Sequence, residues 1–197
     1  LQSFSIQVGG QDGGTLAPGA KQEDNLEMFI DLMCRKLPLK FEKKVEHAGL
    51  ESLRFIPPPN ALGSADDANL TRRSQDNACY CMDGFDCYGS GLLNMAPCKV
   101  RPDLPAGAPI ARSFPHFCQV GIEQSEAVLG SRDAVLTSFV SLADEKYLNA
   151  VEGLNPQKEK HEFYVDIAPD FGFPLAIRPK FQLNVVINKD PAVPSMR

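Results

Sequence analysis

The run from Asn77 to Cys98, NACYCMDGFDCYGSGLLNMAPC, concentrates four of the chain's six cysteines, and it constrains the fold more than any other stretch. A structural zinc site is built from paired C-x-x-C or H-x3-5-H elements, because that spacing lets two ligands from one turn reach the same tetrahedral ion. Here Cys79 and Cys81 are one residue apart, which sends their side chains to opposite sides of an extended segment. Without a C-x-x-C pair, a thioredoxin-like redox site is also disfavoured. Cys81 and Cys87 enclose MDGFD, whose Asp83-Gly84 suits a tight reversal, so a small disulfide-closed loop is the favoured reading. At 197 residues the chain can bury a core without crosslinks, so the cysteines reflect compartment and loop architecture rather than small size.

Asn69-Leu70-Thr71 forms an N-glycosylation sequon in the polar stretch just before the cysteines. Sequon and cysteine cluster together point to an oxidising, extracellular or lumenal setting. The net charge of −5 argues against nucleic acid as a partner, since phosphate binding needs a basic surface. No apolar run of about 18 residues is present to span a bilayer. Leu1 is not followed by a charged segment leading into an apolar one, so no signal peptide is legible and the chain reads as trimmed at both ends.

Phe4, Ile6 and Val8 alternate with polar residues and predict a strand that ends at Gly9-Gly10. Leu26, Phe29, Ile30, Met33 and Leu37 fall at helical spacing, Asp24 and Glu27 suggest a capping box, and Pro38 would close that helix. A short strand is expected around Leu53 to Ile56, followed by a long surface loop rich in proline, glycine and polar residues. APIARSF is a further strand candidate. At the end, Phe163, Val165 and Ile167 alternate, APDFG turns, and Phe181, Leu183, Val185 and Ile187 alternate again; this predicts a meander with both apolar rows on one buried face.

Catalytic chemistry is not legible. His47, His116 and His161 have no cysteine, serine or second histidine at a suggestive local spacing, and His116 reads as a packed, hydrogen-bonded side chain. The glycines flanking Ser90 are adjacent to it, whereas a nucleophile elbow needs them two residues away. Glu159, Glu162 and Asp166 read as surface carboxylates. No phosphate loop or dinucleotide fingerprint occurs, and neither a cofactor nor an enzymatic role is expected.

CRKLPLKFEKKVEHAGLESLRFIPP, NACYC, GLLNMAPCK, GAPIARSFPHF and VEGLNPQKEKHEFYVDIAPDFGFPLAIRPKFQLNVVI follow one another in the order found in the class B scavenger receptors, and the chain resembles that family from Cys34 to Ile187. The resemblance implies a mixed, β-dominated fold: a partial antiparallel β-barrel ectodomain with short helices and long disulfide-stapled loops. It makes residues 1–197 the later part of an ectodomain held to the membrane by flanking helices that this chain does not contain. It pairs Cys34 with Cys98 and Cys81 with Cys87, and leaves Cys79 and Cys118 without family partners. The ligands it implies are lipids, fatty acids or lipoprotein particles, taken up at the plasma membrane or, alternatively, the lysosomal membrane. Phe163, Val165, Ile167, Phe181, Leu183, Val185 and Ile187 become candidate linings of the lipid passage, and Asn69 the glycosylated residue. Residues 118–141 interrupt the resemblance and are expected to form a surface insertion or a mis-joined segment. The competing reading is a soluble, disulfide-stapled binding module without lipid transfer.

Overall fold

The computed structural model describes residues 16, 18–70, 73–120, 139–141 and 143–187. Its strands are β1 (Leu26–Ile30), β2 (Arg35–His47), β3 (Leu50–Ile56), β4 (Leu93–Asn94), β5 (Ile110–Ser113), β6 (Cys118–Val120), β7 (Phe139–Ser141), β8 (Tyr164–Ala168), β9 (Phe173–Arg178) and β10 (Gln182–Val185). Two short helices, α1 (Glu145–Ala150) and α2 (Lys158–His161), lie between β7 and β8. The main sheet has the order β1-β2-β3-β8-β9, and a smaller one has the order β10-β5-β4. All pairings are antiparallel, and the main sheet curls as part of a barrel.

The helix expected over Leu26 to Leu37 does not form. That segment is β1, one turn of tight helix, and the start of β2. The helical spacing is outcompeted by an alternation that continues beyond it: Met28 pairs with Leu37 and Leu26 with Leu39, so one face of the ribbon meets the core. Met28, Leu37 and Leu39 are buried. Pro38 lies in the part of β2 that pairs with β1 alone, where no second strand claims the N–H it lacks.

The β2–β3 hairpin closes through Ala48-Gly49, both at positive φ (51° and 85°), which fits the two-residue turn matching strand twist. A register shift between Phe41 and Lys43 leaves Glu42 as a bulge. Across the sheet, Phe41 opposes Phe55, Phe55 opposes Val165, and Leu53 opposes Ile167, so the core is a row of cross-strand apolar pairs. Phe55 and Ile167 have no exposed surface at all.

The predicted terminal meander is corrected in its second half. The partner of β8 is β9, which the sequence pattern does not predict, while β10 belongs to the smaller sheet beside β5. The two predicted apolar rows therefore lie in different sheets and meet at one place, where the rings of Phe163 and Phe181 sit 5.4 Å apart. The expected surface loop after Ile56 also differs: Pro57, Pro58, Ala61, Leu62 and Gly63 are buried beneath its polar continuation. The strand expected at Phe4 to Val8 falls outside the described residues, as does most of the 118–141 stretch. Of that stretch, β6 pairs with β7, Cys118 opposite Ser141 and Val120 opposite Phe139, and Cys118 itself is buried.

Candidate functional site

The first candidate region is the apolar face that runs from β8 towards the open ends of both sheets. Phe163, Val165 and Ile167 are buried in the core. Ile177 on β9 is the cross-strand neighbour of Val165 and shares its face, yet it is 43 % exposed because no described strand lies beyond β9. On β10 the usual arrangement is inverted. Gln182 and Asn184 pair with buried Ser113 and Ala111, and the Asn184 side-chain amide donates to Ser113 Oγ at 3.0 Å. Leu183, Val185 and the following Ile187 are instead 56, 64 and 70 % exposed. Phe181 alone of that row packs inward, stacked 5.8 Å from Phe114 and against Phe163. The buried face predicted for Leu183, Val185 and Ile187 is not formed by the described residues: the more covered face of β10 is its polar one.

The opposite side of the main sheet carries charge that the sequence reading placed at the surface. Asp166 is fully buried and accepts two hydrogen bonds from Arg54, from Nε and Nη2, both at 2.7 Å. His47 Nε2 lies 2.8 Å from Asp166 Oδ2, and the Arg54 guanidinium stacks on Tyr164 at 3.7 Å. This is the bidentate, stacked geometry in which a buried ion pair is best compensated. Nearby, the bulged Glu42 reaches Lys158 at the start of α2, which also lies 3.5 Å from Glu162. Burial, followed by the neighbouring Glu42 charge, pushes the Glu162 carboxyl up. Burial also pushes the Cys118 thiol up to about 11, with the Glu162 charge adding to it. The thiol is accordingly a poor nucleophile at neutral pH.

The cysteine loop is stapled at both ends. Cys34 is joined to Cys98 and Cys81 to Cys87, with Cα atoms 6.1 and 5.3 Å apart. Cys79 is an exposed free thiol and Cys118 a buried one. Asn69 is exposed, on the turn that precedes the loop. Ser90, set aside above as a nucleophile, is buried as a structural latch: its hydroxyl accepts from the Ser64 N–H at 2.9 Å and bonds the Asp67 carboxylate. The fold also joins two histidines that spacing could not connect. His116 and His161 stack with ring centroids 4.5 Å apart, and each Nδ1 accepts a backbone N–H, from Asn155 and Gln157. Burial, then the neighbouring His116, lowers the His161 pKa, which favours the neutral ring that accepts the Gln157 N–H. Among the described residues no cluster of three or more His, Cys, Asp or Glu could hold a metal ion. No described helix is long and apolar enough to cross a membrane.

This architecture agrees with what comparison with known proteins finds. The chain is 31 % identical over 182 residues to lysosome membrane protein 2 of Homo sapiens, covering 92 % of the chain and 30 % of that protein. It is 30 % identical over 187 residues to protein peste of Drosophila melanogaster, covering 95 % and 27 % respectively. Sensory neuron membrane protein 1 of Mamestra brassicae is 26 % identical over 182 residues, covering 91 % and 27 %. The chain thus spans under a third of the length of these relatives, two of which are membrane proteins by name. The model of the CD36 family matches residues 2–133 and 139–197, nearly the full length. On that match, and on the order of motifs that resembles the class B scavenger receptors, the chain belongs to the CD36 family.

Proposed function

We propose that this chain forms part of the wall of a receptor ectodomain along which an apolar ligand, a lipid or fatty acid delivered free or from a lipoprotein particle, passes towards the membrane. The observation that carries this reading is the inversion on β10. A strand that turns Gln182 and Asn184 inward and Leu183 and Val185 outward leaves an apolar row uncovered, and water is a poor neighbour for it. In the complete protein that row, with Ile187 and the open end of the face that runs through Phe163, Val165, Ile167 and Phe181, lines an interior wide enough for an acyl chain. Each methylene taken out of water there gains about 0.8 kcal/mol. The two disulfides and the exposed Asn69 support a position on the extracellular side of the plasma membrane, or on the lumenal side of a lysosome.

The test uses a full-length receptor containing this segment, with fluorescent fatty acid uptake as the readout. Leu183→Glu puts a charge on the passage wall, and Leu70→Glu puts one on the exposed loop near Asn69. Uptake should fall several-fold for the first and stay unchanged for the second, with equal amounts of each protein at the membrane. Equal uptake by both variants would remove Leu183 from the passage and with it the reading.

A further inference from the structure

We propose that Arg35 anchors an anion-binding site, separate from the apolar strand faces, that takes a small ligand ending in a carboxylate or a phosphate. Arg35 opens β2 on the same face as Leu37 and Leu39, the face that packs into the core, and only 4 % of it is exposed. Its Nη2 donates to the Ala61 carbonyl at 3.5 Å and to Asn77 Oδ1, and its guanidinium lies 3.8 Å from the centre of the Tyr80 ring. Its buried Nε has no hydrogen-bond partner. Among the described residues no carboxylate pairs with it. The contrast with Arg54 is direct, because Arg54 spends Nε and Nη2 together on Asp166.

Burying a cation is costly unless an opposite charge compensates it. A ring face and neutral carbonyl dipoles compensate only in part. Burial lowers the Arg35 pKa, yet arginine does not escape the cost by losing its proton, because a guanidinium stays charged in proteins. The remaining cost is met most directly by an anion bound from outside, and the surroundings have room for one. Arg35 lines a cavity of about 580 Å³, inside the range of small-molecule sites. Lys36 and Lys40 line it as well, against the carboxylates of Glu27 and Asp76, so positive charge exceeds negative by one. Glu27 is already held by Lys36 at 2.7 Å. Leu26 and Leu39 are also among its lining residues, and their apolar surface suits a ligand with a short hydrocarbon part. The Cys34–Cys98 disulfide fixes the residue next to Arg35, and Asn77 donates to the carbonyls of Asn60, Ala61 and Gly63, so the site is held in place before any ligand arrives.

The test is calorimetric titration of the 197-residue chain with octanoate, with octanol as the uncharged match, and with inorganic phosphate. Octanoate or phosphate, or both, should bind saturably and more weakly as salt rises, and octanol should bind at least about tenfold less tightly than octanoate. Phosphate alone would identify a phosphate site and octanoate alone a carboxylate site; either result supports the anion. Arg35→Met, its folding checked by thermal unfolding, should lose about tenfold or more in affinity for whichever anion binds. Where Arg35→Met does not fold, the wild-type titrations decide. Binding of neither anion, octanol binding as tight as octanoate, or full affinity in a folded Arg35→Met variant would each overturn the proposal.

Discussion

Strands β8 and β10 carry the same kind of pattern, an apolar residue at every second position, and the fold treats them in opposite ways. In β8 both faces are covered: Val165 and Ile167 face the core, and Asp166 on the other side is closed over by Arg54 and His47. In β10 the polar positions turn to Ser113 and Ala111, and the apolar ones stand in the open. Alternation therefore reports that a strand has one greasy side and does not report what covers it. For β8 the cover is found in this chain; for β10 none of the described residues provides it.

Substitutions can break or sharpen that contrast, most simply when read as shifts in denaturant midpoint. The largest effect is expected from Phe55→Ala, which empties the fully buried position opposite Val165 and should cost about 4 kcal/mol. Asp166→Ala comes next, at about 3 kcal/mol, because it strands Arg54 without its bidentate partner. Leu183→Ala should change stability by no more than about 0.5 kcal/mol, since the side chain is already exposed. A Leu183→Ala cost near that of Phe55→Ala would show the β10 row packed in solution and erase the distinction. A negligible cost for Asp166→Ala would show that the outer side of β8 is not closed by charge.

What the sequence made legible was whatever depended on neighbours along the chain. The strand around Leu53 to Ile56, the strand in APIARSF, the turn in APDFG and the small Cys81–Cys87 loop are local features, and the structure contains them. The segment Leu26 to Leu37 is ambiguous because Leu26, Ile30 and Leu37 satisfy a helical stripe, while Leu26, Met28 and Ile30 in β1 and Leu37, Leu39 and Phe41 in β2 each satisfy an alternating one. Only the presence of β2 as a partner decides between them, and partnership is a tertiary fact. The polar features were harder still. Asp166 looked like a surface carboxylate because Arg54, which neutralises it, lies 112 residues away. Arg35 stands next to Lys36 in CRKLPL, and nothing local distinguishes a buried arginine there from a solvated one. A usable signal was present in both cases: each charge occupies a position flanked two residues on by an apolar side chain, so each lies in phase with a row that could be buried.

The β6–β7 pair has a meaning for how this protein could change over time. Cys118 opposite Ser141 and Val120 opposite Phe139 fasten the two ends of an excursion side by side. Chain length between such fastened ends is nearly neutral currency for the rest of the molecule, because doubling a flexible loop costs only about 0.6 kcal/mol in closure entropy. We propose that residues between Val120 and Phe139 are therefore a place where segments can be gained, lost or replaced while the strands that lead to β8 keep their register. The same tolerance makes the interval between Val120 and Phe139 a natural one at which to graft a fluorescent or affinity reporter.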